Sequence, residues 1–164
     1  MIEVRALAPD QWSLIREVRL RSLADAPGAF TSSYEREAAF DEATWRSRAA
    51  SCQWFVAFDT GLPIGIAGGM DGWSIDSSER ELVGMWVAPD RRGQGVAALL
   101  LGAVVGWARS QGATDLTLGV RQGNEGARAA YLKMGLELAG KTVVASGDPT
   151  IFIEVMRLSL SPAG

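Results

Sequence analysis

The stretch from Glu81 to Trp107, ELVGMWVAPDRRGQGVAALLLGAVVGW, constrains this chain more than any other. An apolar run from Leu82 to Val87 stops at Ala88-Pro89. A short basic loop with two glycines follows, Asp90-Arg91-Arg92-Gly93-Gln94-Gly95. From there Val96, Leu99, Leu100, Ala103, Val104 and Trp107 recur at helical spacing, which predicts one buried stripe. The pattern reads as strand, glycine-rich loop, helix. The first amides of such a helix have no partner inside it, and the macrodipole adds partial positive charge there. The loop is therefore an anion site, and Gly93 and Gly95 allow a ligand close to the backbone.

The rest of the chain alternates around this unit. Ile2 to Leu7 has the alternation of a half-buried strand. Pro9 and Asp10 suit the first turn of a helix that runs to about Asp25, with Trp12, Ile15, Val18 and Leu23 near helical spacing. Ala26-Pro27-Gly28 breaks it, and Phe30 to Ala39 is a loop or a short helix. Asp41 can cap another helix through about Ala50. Gln53 to Asp59 and Ile64 to Met70 form a hairpin around Thr60 to Pro63, although Gly65, Gly68 and Gly69 weaken the second strand. Asp71 to Ser78 reads as a loop, and the strand before the glycine loop begins near Arg80. After Gly112 come a strand over Leu116, Leu118 and Val120, a helix from about Glu125 to Met134, and two strands, Leu136 to Ala145 and Thr150 to Leu158. Residues 1–160 are expected to form one domain and Ser161 to Gly164 a tail. The hairpin implies antiparallel pairing and the glycine-loop unit one right-handed parallel pair. A mixed sheet with helices on both faces is the expected architecture.

Composition narrows the function. Among 164 residues, 16 basic ones stand against 19 acidic ones, a net charge of −3 that argues against nucleic acid as the main partner. With no histidine, His-based metal sites and Ser-His or Cys-His nucleophiles are absent, and no metal is expected. The single cysteine, Cys52, excludes an internal disulfide. The N-terminus lacks a signal-peptide apolar region, and no run approaches the roughly 18 apolar residues of a membrane span, so a cytoplasmic protein is expected.

Three phosphate ligands compete for the loop. A nucleoside triphosphate needs GxxxxGK[ST], and no Lys-Ser or Lys-Thr follows Gly95. Gly93 to Ala98 fits G-x-G-x-x-[G/A], but five residues separate Val87 from Gly93, where a dinucleotide fingerprint turns almost at once. The third reading rests on a resemblance. Val87 to Ala97 resembles the acetyl-CoA loop of the GNAT superfamily of N-acetyltransferases, [R/Q]-x-x-G-x-[G/A], with Arg92, Gly95 and Ala97 at its fixed positions. Asn124 to Leu136, NEGARAAYLKMGL, resembles the same superfamily's N-x-x-A-x-x-x-Y-x-x-x-G-[F/L] segment.

That resemblance implies a mixed α/β fold with a twisted, mostly antiparallel sheet of six to seven strands. It also implies acetyl-CoA as co-substrate, with the pyrophosphate on the amides of Gln94, Gly95, Val96, Ala97 and Ala98, beside Gly93 and with charge from Arg92. The pantetheine arm would bond to backbone around Met85 and Val87, and Asn124, with Ala127 in the same block, would help hold it. An amide near Trp86 or Val87 would polarise the acetyl carbonyl. Gly84 is expected to mark a bulge that helps the cofactor strand splay from its neighbour. Tyr131 would be the general acid and Glu81 the base, with Glu79 as the alternative. The acceptor would be a small-molecule or peptide amine, bound by Ala26 to Ala39 and Asp71 to Ser78. Those segments offer Phe30, Tyr34 and Trp73 as aromatic walls, and Glu35, Glu37, Asp71 and Asp76 as carboxylates for a cationic amine. A homodimer is common in the family. The other class compatible with these residues is a coenzyme A-binding module with little transferase activity.

Overall fold

The computed structural model describes residues 1–72 and 78–160. Seven strands form one sheet: β1 (Ile2–Leu7), β2 (Gln53–Asp59), β3 (Leu62–Asp71), β4 (Glu79–Val87), β5 (Asp115–Arg121), β6 (Glu137–Ala145) and β7 (Asp148–Ser159). Their spatial order is β1-β2-β3-β4-β5-β7-β6. Among the described residues only β4 and β5 pair in parallel, as expected for two strands joined by a helical crossover. The helices are α1 (Trp12–Asp25), the short α2 (Tyr34–Ala38), α3 (Glu42–Ser51), α4 (Val96–Ser110) and α5 (Glu125–Lys133).

Local chemistry sets the boundaries. Asp41 caps α3 by accepting from the Thr44 amide at 2.9 Å. Thr60 and Gly61, both at positive φ, close the β2–β3 hairpin in two residues, so β3 starts at Leu62 rather than Ile64. Ser146-Gly147 does the same for β6–β7, and β7 starts at Asp148.

The sheet separates two cores. On one face α4 and α5 cover Phe55, Ala67, Leu82, Leu116 and Leu118. On the other, α1 and α3 cover Trp54, Val56, Ile66 and Trp86. The α4 stripe is rotated from the one expected. Val96, Leu100, Leu101, Val104 and Ala108 are buried, whereas Leu99 is 48% exposed. The helix aims the Val96-Leu100-Val104 line straight at β3, which carries Leu99 to the outer flank.

The glycines that weaken β3 in the sequence are what the packing needs. A Cβ on Gly68 would lie 2.9 Å from the Trp54 ring, and one on Gly69 would lie 2.5 Å from the Trp107 ring. The two indoles therefore press on opposite faces of one strand. A Cβ on Gly65 would meet Leu100 at 3.1 Å and Val96 at 3.3 Å, so its absence lets α4 approach. Gly69→Ala is expected to lower the unfolding free energy by roughly 1–3 kcal/mol, the usual cost of overpacking. Urea unfolding measures it, and a neutral effect would mean that the Trp107 indole moves aside freely.

Candidate functional site

The site begins where β4 and β5 part. They pair from Glu79↔Asp115 to Leu82↔Leu118 and no further, although β4 runs on to Val87 and β5 to Arg121. The cause lies on the other edge of β4. Val83 pairs with Gly68 and Trp86 with Ile66, so Gly84 and Met85 together oppose Ala67 alone. That is a bulge, and Gly84 adopts φ +65, which an L side chain rarely does. A Cβ there would also crowd the Trp54 ring and the Arg19 guanidinium, at 3.3 and 3.4 Å.

Between the parted strands opens a cavity of about 470 Å³. Met85, Ala127 and Tyr131, which belong to the α4–α5 side, line it together with Arg19, Phe30 and Val83 from the α1 side. The gap thus passes through the sheet. Asn124, Ala127 and Tyr131 reach it from one face of α5, spaced three and four residues apart. Asn124 is the N-cap of α5: its Oδ1 accepts from the Ala127 amide at 3.3 Å, which leaves its side-chain nitrogen for the cavity. Burial pushes the Tyr131 phenol well above its ordinary value, so it holds its proton at neutral pH. Glu81, before the bulge, also lines the cavity. Burial, with a smaller push from Glu79, raises its carboxyl from 4.5 to about 7.

The glycine loop lies beyond the open end of β4. Gly95 is the N-cap of α4 at φ +83, with no side-chain cap, and the first helical bond runs from the Leu99 amide to the Gly95 carbonyl at 3.1 Å. The amides of Val96, Ala97 and Ala98 are thus free of helical partners, and the first turn carries no acid. A Cβ on Gly93 or Gly95 would meet nothing within 4 Å, so the approach is open. Arg92 is already engaged. Its Nε donates to the Val87 carbonyl at 3.0 Å and its Nη2 to Asp25 Oδ2 at 2.7 Å, while Trp86 Nε1 donates to the same Asp25 oxygen at 2.9 Å. Gln94 only returns its side-chain amide to the Asp90 carbonyl at 3.4 Å. Asp25, at the end of α1, therefore ties the loop to the end of β4.

A family model described as the acetyltransferase (GNAT) family matches residues 19–136. The chain belongs to the GNAT acetyltransferase family. No curated protein sequence matches it. The fold is similar to that of a GNAT-family acetyltransferase from Streptococcus pneumoniae at 18% identity and TM-score 0.76, covering 97% of this chain and 99% of that one. It is also similar to the ribosomal-protein-S18-alanine N-acetyltransferase from Escherichia coli, at 21% and 0.70 over 100% and 97% of the two chains. A third likeness is PaiA N-acetyltransferase from Thermoplasma acidophilum in complex with coenzyme A, at 18% and 0.68 over 97% and 99%. These likenesses agree with the mixed seven-stranded sheet and its flanking helices.

In this GNAT domain Glu81, Met85, Asn124, Ala127 and Tyr131 line one gap, whereas Arg92 to Ala98 lie at the loop beyond the end of β4, and Trp86 and Val87 are buried outside the lining. Of the aromatic walls, Phe30 lines the cavity, Tyr34 is 43% exposed at the start of α2 and does not, and Trp73 lies outside the described residues. Of the carboxylates expected to meet a cationic amine, Glu35, Glu37 and Asp71 do not line the cavity. Glu37 is buried, receives Arg19 in a fork at 3.0 and 3.0 Å, and receives Arg48 at 2.6 Å. Burial alone would raise its carboxyl, but those guanidiniums and Ser32 outweigh it and hold the group at about 2. The Asp71 side chain is exposed beside Arg80, and Asp76 lies outside the described residues. Arg19 and Arg121, which line the cavity, were not singled out from the sequence. Arg19 sits on the inward line of α1 beside Ile15, Val18 and Leu23, and a charge on an apolar line was the available signal.

Glu81 has a thermodynamic consequence. Because its folded value is raised, the fold favours the protonated carboxyl, and that contribution is lost as pH rises from about 4.5 through about 7. Glu81→Gln is therefore expected to raise Tm relative to wild type at pH 8 and to change it little at pH 4. Thermal melts across that range measure the difference, and a pH-independent gap would contradict the buried-carboxyl account.

Proposed function

We propose that the protein transfers the acetyl group of acetyl-CoA to a primary amine by direct attack, with residues 1–160 as one catalytic unit. The observation that carries this reading is the through-sheet gap, which brings Glu81 and Tyr131 to one cavity beside the open edge of β4. Support for the co-substrate and the amine acceptor also comes from the coenzyme A of the PaiA complex and the ribosomal-protein alanine of the Escherichia coli enzyme.

In this reading the pyrophosphate rests on the free amides of Val96, Ala97 and Ala98, with Gly93, Gln94 and Gly95 shaping the approach. Arg92 supplies positive potential from its place on Asp25 rather than a free arm. The pantetheine enters between β4 and β5 along Met85, Asn124 and Ala127. The Ala88 amide donates to the Ile64 carbonyl at 2.8 Å, so strand alternation turns the Val87 amide the other way, to the side that β5 has left. Val87, rather than Trp86, is then the donor for the acetyl carbonyl and its developing oxyanion.

Glu81, at about 7, takes the proton of the attacking ammonium group, directly or through one water. The amine lone pair adds to the thioester carbon, the added nitrogen gives its second proton to water, the oxyanion collapses, and the carbon–sulfur bond breaks. Tyr131 gives its hydroxyl proton to the departing thiolate. The burial that raises the phenol also raises a thiol leaving into the same cavity. Water then returns the proton of Glu81 to solvent and restores that of Tyr131.

Two expected outcomes follow. Tyr131→Phe lowers kcat by roughly 10²- to 10⁴-fold, the usual general-acid contribution, with acetyl-CoA affinity retained; an unaltered rate with chemistry limiting would remove the acid role. Gly95→Glu weakens coenzyme A binding by about 100-fold, about 2.7 kcal/mol, by placing a side chain and a charge where the phosphate rests. Calorimetry on the folded variant measures this, and wild-type affinity would remove the phosphate assignment.

A further inference from the structure

Among the described residues, the charged ones that line the cavity are Arg19, Arg121 and Glu81. Their balance bears on which amine enters. Arg19 is 7% exposed and spends its Nε and Nη2 on Glu37, while its Nη1 has no hydrogen-bond partner. Glu37 is shared with Arg48, so one carboxylate faces two guanidiniums and the buried cluster keeps a net positive charge. The Arg19 guanidinium lies over the Phe30 ring, with its carbon 4.7 Å from the ring centroid, which fixes its plane at the wall. Arg121 donates from Nη1 to the Phe30 carbonyl at 3.0 Å and makes no ion pair among the described residues. Two guanidiniums thus flank Phe30; Glu37 is taken up by Arg19 and Arg48, and Asp148 feels the charge of Arg121 without forming an ion pair with it.

Glu81 stands apart from this wall. Burial and Glu79 raise its carboxyl, and it makes no ion pair with Arg19 or Arg121. The cavity therefore has a carboxyl that receives a proton and a separate cationic wall. A diamine or polyamine would bring its second cation against two guanidiniums in a partly desolvated space, where like charges repel strongly. An amine that carries a carboxylate matches both features.

We infer that the acceptor is an amino acid, its amine directed to Glu81 and its carboxylate to the wall of Arg19 and Arg121. The inference rests on the acetyltransferase reading above and names the acceptor class for the same site. Arginine suits the role because its fork matches a carboxylate and it stays charged at any working pH.

The test is an acetyl-CoA thiol-release assay on matched pairs, each amino acid against its own carboxamide and its decarboxylated amine. The carboxamides have the more acidic ammonium groups and are intrinsically the readier nucleophiles near neutrality, so a preference for the acids must come from the site. The expected result is a kcat/KM at least tenfold higher for one or more amino acids than for their carboxamides. Arg121→Gln, which breaks one bond to a backbone carbonyl, should bring the amino acid down towards its carboxamide. Arg19→Lys, which keeps a charge on Glu37, should do so in part. Coenzyme A titration calorimetry reports whether each variant keeps the donor site, and the wild-type pairs decide even if a variant fails to fold. Carboxamides or plain amines used as well as the acids would overturn the inference and leave the acetyltransferase reading standing. Coenzyme A binding with no acetylation of any amine would remove that reading and the inference with it.

Discussion

Everything at this site depends on β4 and β5 separating after Leu82↔Leu118. A continuous ladder would bury the strand edges in hydrogen bonds and leave no path through the sheet. The bulge at Gly84 and Met85 re-aims β4, and the left-handed Gly84 makes it possible next to the Trp54 ring. The free edge then offers backbone donors, α5 supplies Asn124 and Tyr131 from one face, and α1 supplies Arg19 from the other. A parallel pair suits this role, since its crossover delivers the N-terminus of α4 beside the open end of the same strand.

The parted strands need bracing, and polar contacts from α1 provide it. Asp25 holds Trp86 and Arg92, so the glycine loop and the end of β4 are fastened together to the end of α1. Arg21 adds to this by lying over the Trp86 ring at 5.2 Å and donating to the Pro63 carbonyl at 2.8 Å. A few residues earlier on the same helix, Arg19 reaches Glu37 and through it Arg48, which fastens α1 to α2 and α3. Removing one partner of such a buried cluster leaves a charge without compensation, typically about 3–5 kcal/mol. The cavity wall and the brace of the fold are thus partly the same residues.

The geometry of the glycine loop and of the strand before it was legible in the sequence because it is a property of the backbone. Glycines at Gly93 and Gly95, an uncapped helix start at Val96 and a strand ending at Val87 follow from local pattern, and they lie where the pattern puts them. The bulge at Gly84 was readable for the same reason. The acceptor half was not, because side chains from distant segments decide it. Glu37 looks like an available loop acid until Arg19 and Arg48 are seen to converge on it from two other helices. Tyr34 looks like an aromatic wall until α2 turns it outward. Leu99 fits a helical stripe by spacing, yet the rotation of α4 against β3 comes from Gly65 and Gly69, some thirty residues away. Arg92 carries the family pattern, but its engagement with Asp25 spans a separation of 67 residues that no local window contains.

The gap between β4 and β5 is proposed to carry the acyl donor through the sheet. A crystal structure of the protein grown with coenzyme A tests it most directly. The pyrophosphate is expected on the amides of Val96, Ala97 and Ala98, and the pantetheine between Met85 and Asn124. The sulfur is expected in the cavity within hydrogen-bonding reach of the Tyr131 hydroxyl. Coenzyme A bound along another surface, or a pantetheine arm that stays outside a gap still open between the strands, would contradict that placement.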